Sequence, residues 1–297
     1  MRILVTGASG FVGRRLAAAL VDDGHDVRAM TRHPETYRGP GEPVGADVSK
    51  PGSLPAAVEG CAAAYYLVHS LDDSDFVERD AEAARAFGRA AKDAGVARIV
   101  YLGGLGDDGD DLSPHLRSRR QVEQLLGEAG VPVTVLRAGI IVGHGGVSWE
   151  LTRQLVEHLP AMITPRWVRT RTQPIAVDDA VRYLVGVLDT EDTASHCYEI
   201  GGPEVLRYVD MLRRVAVIEG RTMIVVPVPV LSKSLSSRWL SLVTDVDRQT
   251  GRSLIESMSN EVVVRDPAIR EVVRFEPMDY DTMVLQALGE RAKAARA

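Results

Sequence analysis

Over the first 140 positions the apolar residues follow two alternating rhythms. Short runs rich in β-branched and aromatic residues at 2–6, 26–31, 63–68, 97–102 and 132–136 have the length and composition of buried strands. Between them, segments 11–23, 75–94 and 115–129 repeat apolar residues three and four apart, the spacing of one helix face. Gly24, Gly95 and Gly130 fall where those helices should stop. Strand and helix in repeated succession imply βαβ crossovers, and therefore a parallel sheet covered by helices on both faces. The fold class expected is α/β, a doubly wound parallel sheet of the Rossmann type.

Past residue 140 the rhythm loosens. Helices are expected near 148–158, 178–188 and 207–218, with a strand near 196–200. Asp178 and Asp179 suit a helix start, where carboxylates face unpaired N–H groups. This half reads as a smaller C-terminal lobe, 146–297, laid over and interleaved with a domain of 1–145 plus parts of 170–200. The tail from Leu288 to Ala297, rich in Ala, Arg and Lys, reads as a fraying helix end.

Composition narrows the function classes. At 297 residues, with 45% hydrophobic and 26% charged positions, the chain can bury a core without a disulfide or metal staple. A formal net charge of -6 argues against a nucleic-acid binder, which carries a basic face. The two cysteines, Cys61 and Cys197, show no zinc or disulfide spacing, so no metal is expected and a cytoplasmic setting fits. The N-terminal apolar run is too short for a signal peptide. The longest apolar candidate for a span, Thr222 to Thr244, is broken by Pro227, Pro229, Lys233 and Arg238, so no membrane span is expected. Within it, Val225 to Thr244 could roof an apolar pocket, mark a partner surface or form lobe core.

The chemistry begins at Gly7-Ala8-Ser9-Gly10-Phe11-Val12-Gly13, directly after the strand Ile3-Leu4-Val5 and opening an amphipathic helix. In that context Gly7 permits a tight turn, Gly10 lets the backbone approach a pyrophosphate, and Gly13 lets helix and strand pack closely. Free N–H groups at the helix start then face the diphosphate of a nicotinamide dinucleotide. An acidic residue at the tip of the second strand would favour NAD(H). Thr31 and Arg32 stand there instead, and a guanidinium pairs with a 2′-phosphate, so NADP(H) is expected over NAD(H). Asp47 and Val48, after a third short strand, are placed for the adenine, although Asp47 also suits a plain turn.

These elements resemble the short-chain dehydrogenase/reductase superfamily in its extended or atypical branch, which includes the NmrA-like proteins. The residues carrying the resemblance are Thr6 to Gly13, Gly45-Ala46-Asp47-Val48, Leu136 to Gly143 and Gln173 to Asp179, with a weaker match through Tyr198 to Pro203. The resemblance implies that a Ser or Thr ends the fifth strand and that a Tyr with a Lys four residues later handles the proton. This chain departs from that pattern. Its fifth strand ends in Gly103-Gly104, and the next helix carries His115 and Arg119 at the four-residue spacing. A histidine can act as an acid near neutral pH, and an arginine can hold a ribose hydroxyl but cannot titrate. His115 also suits a first-turn surface position, and Arg117, Arg119 and Arg120 suit solvated charges.

The fourth strand exits through Leu67, Val68, His69 and Ser70 at the carboxyl edge of the sheet, where open α/β folds bind ligands. His115, Arg119, His69 and Ser70 are therefore the catalytic candidates. Gly7, Ser9, Gly10, Phe11, Val12, Gly13, Thr31, Arg32, Asp47, Val48, Leu67, Val68, Gly103 and Arg119 are the cofactor candidates. Tyr101, on the fifth strand, reads as core. Two functions fit: an NADP(H)-dependent oxidoreductase on a small apolar or polycyclic substrate with a non-standard catalytic set, or a non-catalytic NmrA-like redox sensor. Either would work as a monomer or homodimer.

Overall fold

A computed structural model of the protein describes residues 1–69, 76–107, 109, 111–159, 161–164, 166–190, 193–227 and 256–296. Seven strands form one sheet: β1 (Arg2–Thr6), β2 (Asp26–Thr31), β3 (Glu42–Gly45), β4 (Ala63–Tyr66), β5 (Arg98–Gly104), β6 (Val133–Ala138) and a last strand, Cys197–Ile200. The order across the sheet is last strand, β6, β5, β4, β1, β2, β3, and every neighbouring pair is parallel. The sheet thus grows outward in both directions from the β1–β4 pair. The crevice at the carboxyl ends of those two strands is the topological switch point.

Strand alternation feeds two separate cores. Leu4, Ala64, Tyr66, Ile99 and Tyr101 face one side, where they meet Leu54 and Ala57 of α2 (Leu54–Val58), Phe87 of α3 (Phe76–Asp93) and Val122 of α4 (Pro114–Gly127). Ile3, Val5, Tyr65, Val100 and Leu136 face the other, against Leu16 and Leu20 of α1 (Phe11–Asp22) and Tyr183 and Leu184 of α6 (Val177–Gly186). Sheets buried on both faces read as nearly continuous apolar runs, which is why these strands were visible in the sequence. The α/β parallel-sheet expectation holds, and elements placed from sequence fall within two residues of their observed bounds.

A third apolar cluster sits off the sheet. It joins Trp149, Leu151 and Leu155 of α5 (Val147–His158), Tyr208, Met211 and Val215 of α7 (Tyr208–Ile218), and Tyr280, Met283 and Val284 of the helix Tyr280–Ala294. That last helix starts well before the expected tail and docks through one face of its first turns, Tyr280, Met283, Val284 and Ala287, while Leu285 and the end of the helix are exposed. Two-residue pairings, such as Ile141–Val142 with Ile175–Ala176, were not expected because two residues carry no period. Of the segment 225–244 only 225–227 lies among the described residues, in the strand Ile224–Pro227; Val225 is buried there. Among the described residues no helix is long and apolar enough to cross a membrane.

The first turn of α1 packs backbone to backbone against the turn that follows β1. A Cβ on Gly13 would stand 2.1 Å from the Gly7 carbonyl oxygen and 2.8 Å from its carbon, both backbone atoms. Gly13→Ala should therefore cost about 1–3 kcal/mol by overpacking and displace α1. Gly24→Ala is the control: its Cβ meets nothing within 4 Å, and the position suffers only its φ of +79°, a strain of about 1–2 kcal/mol. Thermal unfolding of both variants checks this, and only Gly13→Ala is expected to lose dinucleotide binding as well.

Candidate active site

The carboxyl ends of β1, β2, β3 and β4 surround a cleft of about 570 Å³. The buried Thr6 hydroxyl accepts the Leu67 N–H at 3.0 Å, which fixes the exits of β1 and β4 side by side. The chain then turns at Gly7 with φ +65°, and the Gly10 N–H donates to the Gly7 carbonyl at 2.9 Å. Gly10 caps α1 with no side-chain hydrogen bond, and no acidic residue occupies the first turn. Open N–H donors and an uncompensated positive helix end thus face the cleft. The absent Cβ atoms leave room for a diphosphate there.

Ten of the candidate residues line this cleft: Gly7, Ser9, Gly10, Thr31, Arg32, Asp47, Val48, Leu67, Val68 and His69. At one end Arg32 is exposed and makes no hydrogen bond to another described residue. Its partner Thr31 is buried, with Oγ1 accepting the His33 N–H at 3.2 Å. Asp47 Oδ1 accepts from the Ser49 N–H at 2.9 Å and the Ser49 hydroxyl at 2.8 Å. Burial works against the Asp47 charge, but these two bonds, with Lys50 and Arg32 nearby, hold the carboxyl below its ordinary range. It is ionised and shaped as a turn, with Oδ2 left for a donor.

Six described candidates lie elsewhere, four of them glycine-loop or β5 residues. The Phe11 ring packs against the loop after the short strand Ile141–Val142, where a Cβ on Gly146 would come within 2.8 Å of it. Val12 packs onto the core under α1, and Gly13 is buried against Gly7. Gly103 lies beneath α4, where a Cβ would meet Glu123 Oε1 at 2.9 Å and the Tyr101 ring at 3.0 Å. Its neighbour Gly104 is equally confined, 2.8 Å from Leu116 Cδ2 by the same measure. The place where the superfamily pattern has a hydroxyl is therefore filled by helix side chains.

His115 and Arg119 stand one turn apart on α4, which Ser113 caps by accepting the Leu116 N–H at 3.3 Å. Neither lines the cleft, but the Arg119 charge is the largest influence on the imidazole of His69, which does. His69 lines the cleft and is exposed there. Arg119, then burial and His115, hold it well below the usual histidine range. Burial, then Arg119, push His115 down to about 3. Both rings are neutral at neutral pH, so an acid role for His115 could not use an imidazolium. Ser70 lies outside the described residues.

The three arginines of α4 have different fates. Arg117 is exposed and pairs with Asp111 at 3.2 Å. Arg120 donates to the carbonyls of Gly104 and Gly106 at 2.7 and 2.6 Å and pairs with Glu123 at 3.1 Å. Glu123 also receives Arg137 of β6 at 2.7 Å. Arg119 alone is nearly fully buried, at 5% exposure. The cleft is completed by residues that sequence reading missed: Met30, Ala46 and Ser49 beside the expected ones, and Arg79, Asp80 and Ala83 from α3. Positions 79, 80 and 83 share one helix face immediately after the β4 exit, and that spacing was the available signal.

A family model described as NAD(P)H-binding matches residues 7–167. An uncharacterised protein of Mycobacterium tuberculosis is 29% identical over 244 residues, which is 82% of this chain and 26% of that protein. The chain thus spans about a quarter of the length of this relative. The (4-alkanoyl-5-oxo-2,5-dihydrofuran-3-yl)methyl phosphate reductase of Streptomyces griseus is 29% identical over 231 residues, 74% of each chain. The fold is shared with an NADPH-dependent quinone oxidoreductase of Escherichia coli solved with NADPH, at a TM-score of 0.78, 18% identity, and 96% and 99% coverage.

The histidine environments have a consequence for stability. An unfolded histidine titrates near 6.5, whereas folded His115 does so at about 3. The unfolded chain therefore binds the proton first, and stability present above pH ~6.5 drains away as the pH falls toward the folded value. His115→Asn should show a shallower loss of its urea midpoint between neutral and acidic buffer than the wild type. Parallel losses in the two proteins would contradict this account.

Proposed function

Because the chain belongs to the NAD(P)H-binding family, we propose that it is an NADP(H)-dependent oxidoreductase acting on a small, largely apolar or polycyclic molecule with a non-standard catalytic set. The observation that supports this best is a single cleft joining the glycine turn, Arg32 and His69. The glycine turn and the uncapped start of α1 suit the pyrophosphate. Arg32, exposed and without a hydrogen bond to another described residue, suits a 2′-phosphate, and Asp47 Oδ2 an adenine amino group. When bound, the cofactor supplies the hydride chemistry that no side chain can.

His69 in the cleft and His115 behind it are candidate proton handlers through their neutral N–H groups or a held water, and Arg119 is an anchor. Ser70 remains a candidate from sequence. The sheet domain would carry the cofactor, and the lobe built on α5, α7 and the helix Tyr280–Ala294 would carry the substrate contacts. One observation favours the second reading, a non-catalytic redox sensor: Gly103, Gly104 and a neutral His115 leave no titrating acid in the expected place.

Dissociation constants for NADPH and NADH, with reduced-nicotinamide absorbance followed against ketones, quinones and enones, test this reading. Arg32→Glu should weaken NADPH at least about tenfold, the loss of one charge-assisted bond, and leave NADH nearly unchanged. Tighter NADH binding by the wild type would refute the cofactor assignment. Tight NADPH binding without turnover on any of the panel would favour the sensor.

A further inference from the structure

Arg15 of α1 lies one turn after Phe11 and joins that residue to the C-terminal lobe. Its Nη1 donates to the Phe11 carbonyl at 3.0 Å, and the guanidinium carbon lies 4.9 Å from the centre of the Phe11 ring. Nη2 donates to the His144 carbonyl at 3.2 Å and to Glu290 Oε2 of the helix Tyr280–Ala294 at 2.7 Å. Gln286, one turn earlier on that helix, donates to Glu290 Oε1 at 3.3 Å and to Asp178 Oδ2 of α6 at 2.5 Å. The Phe11 ring also meets Gly143 and Gly146, where Cβ atoms would stand 3.1 Å and 2.8 Å from it. That loop is itself tied to α5, since Glu150 Oε1 accepts the Gly145 N–H at 3.1 Å.

Phe11 is the first residue of α1. The first bond of that helix runs from the Arg14 N–H to the Gly10 carbonyl at 3.1 Å, so the N–H groups of Phe11 and Val12 precede it and have no partner within the helix. They follow directly on Gly10, which lines the cleft, and are the donors a diphosphate there would use. With side chains 26% and 30% exposed, the Arg15–Glu290 pair contributes little to stability. Its effect is on position: a planar guanidinium is fixed when acceptors from α1, the 143–146 loop and the last helix all hold it. We infer that Arg15 is a positioning residue for the dinucleotide diphosphate, holding the Phe11 and Val12 N–H groups in place through its latch to Glu290. The lobe thereby takes part in cofactor binding through its last helix. This rests on the proposed dinucleotide cleft, so binding by the wild type is read first.

The test uses the whole chain and dissociation constants for NADPH, NADH and adenosine 2′-monophosphate, which lacks the diphosphate, all read well below the unfolding midpoint. Arg15→Gln should weaken NADPH and NADH alike by about fivefold, the worth of one net hydrogen bond, and leave adenosine 2′-monophosphate unchanged. Glu290→Gln should weaken both dinucleotides in the same way, and adding it to Arg15→Gln should weaken them no further, because the two side chains act as one unit. Arg15→Lys, which keeps the charge but not the planar fork, should recover part of the loss. Unchanged dinucleotide affinity in Arg15→Gln overturns the inference. An equal loss for adenosine 2′-monophosphate, the mark of a general distortion, also overturns it, as does a loss confined to NADPH, which would place the effect at the 2′-phosphate. If Arg15→Gln fails to fold, Glu290→Gln carries the test on the same ligands, since Arg15 then keeps its bonds to Phe11 and His144. A wild type that binds neither dinucleotide would instead overturn the proposed function.

Discussion

The fold depends on how closely α1 lies over the end of β1. Gly13 has no space for a Cβ beside the Gly7 carbonyl, so helix and strand meet backbone to backbone. The Thr6 hydroxyl, bonded to the Leu67 N–H, then holds β4 against the same turn. From these two contacts follow the crevice, its position at the β1–β4 switch, and the direction of the open helix end. Apolar cores on both faces hold the central strands in place around this contact.

A second constraint acts at the β5 exit. Glu123 is 9% exposed in its side chain and gathers Arg120 of its own helix and Arg137 of β6. Arg120 also grips the Gly104 and Gly106 carbonyls. This cluster draws α4 onto the strand end so closely that residues 103 and 104 have no room for side chains. The missing hydroxyl and the charged cluster are therefore one structural event. A serine at 104 would have to displace Leu116, and one at 103 would press on the carboxylate that ties three elements together. Paired buried charges are weak sources of net stability but costly to break singly. The cluster's clearer role is to fix the register of α4, and with it the depth of Arg119.

Much of this was legible in the sequence because it depends on local pattern. Gly7, Gly10 and Gly13 follow a strand and open a helix, and Arg32 ends the next strand, so short spacings sufficed to place both in one cleft. The contribution of α3 was not legible. Arg79, Asp80 and Ala83 reach the cleft because α3 crosses the switch point, a fact of tertiary packing that no motif encodes. The three arginines of α4 looked alike in sequence, and only packing separates an exposed Arg117 from a carbonyl-bound Arg120 and a buried Arg119. The loosened rhythm after residue 140 reflects pairings two to four residues long and a core made by helices distant in sequence.

The environment of Arg119 also bears on how a proton could be supplied. One guanidinium depresses both imidazoles, so the charge that could anchor a ligand is the charge that excludes an imidazolium acid. Neutral rings of this kind suit an enzyme that relays a proton through an N–H or a held water, and equally a sensor that moves none. What separates the two is whether the ligand carries a carbon that accepts hydride, a property of the ligand and not of the site.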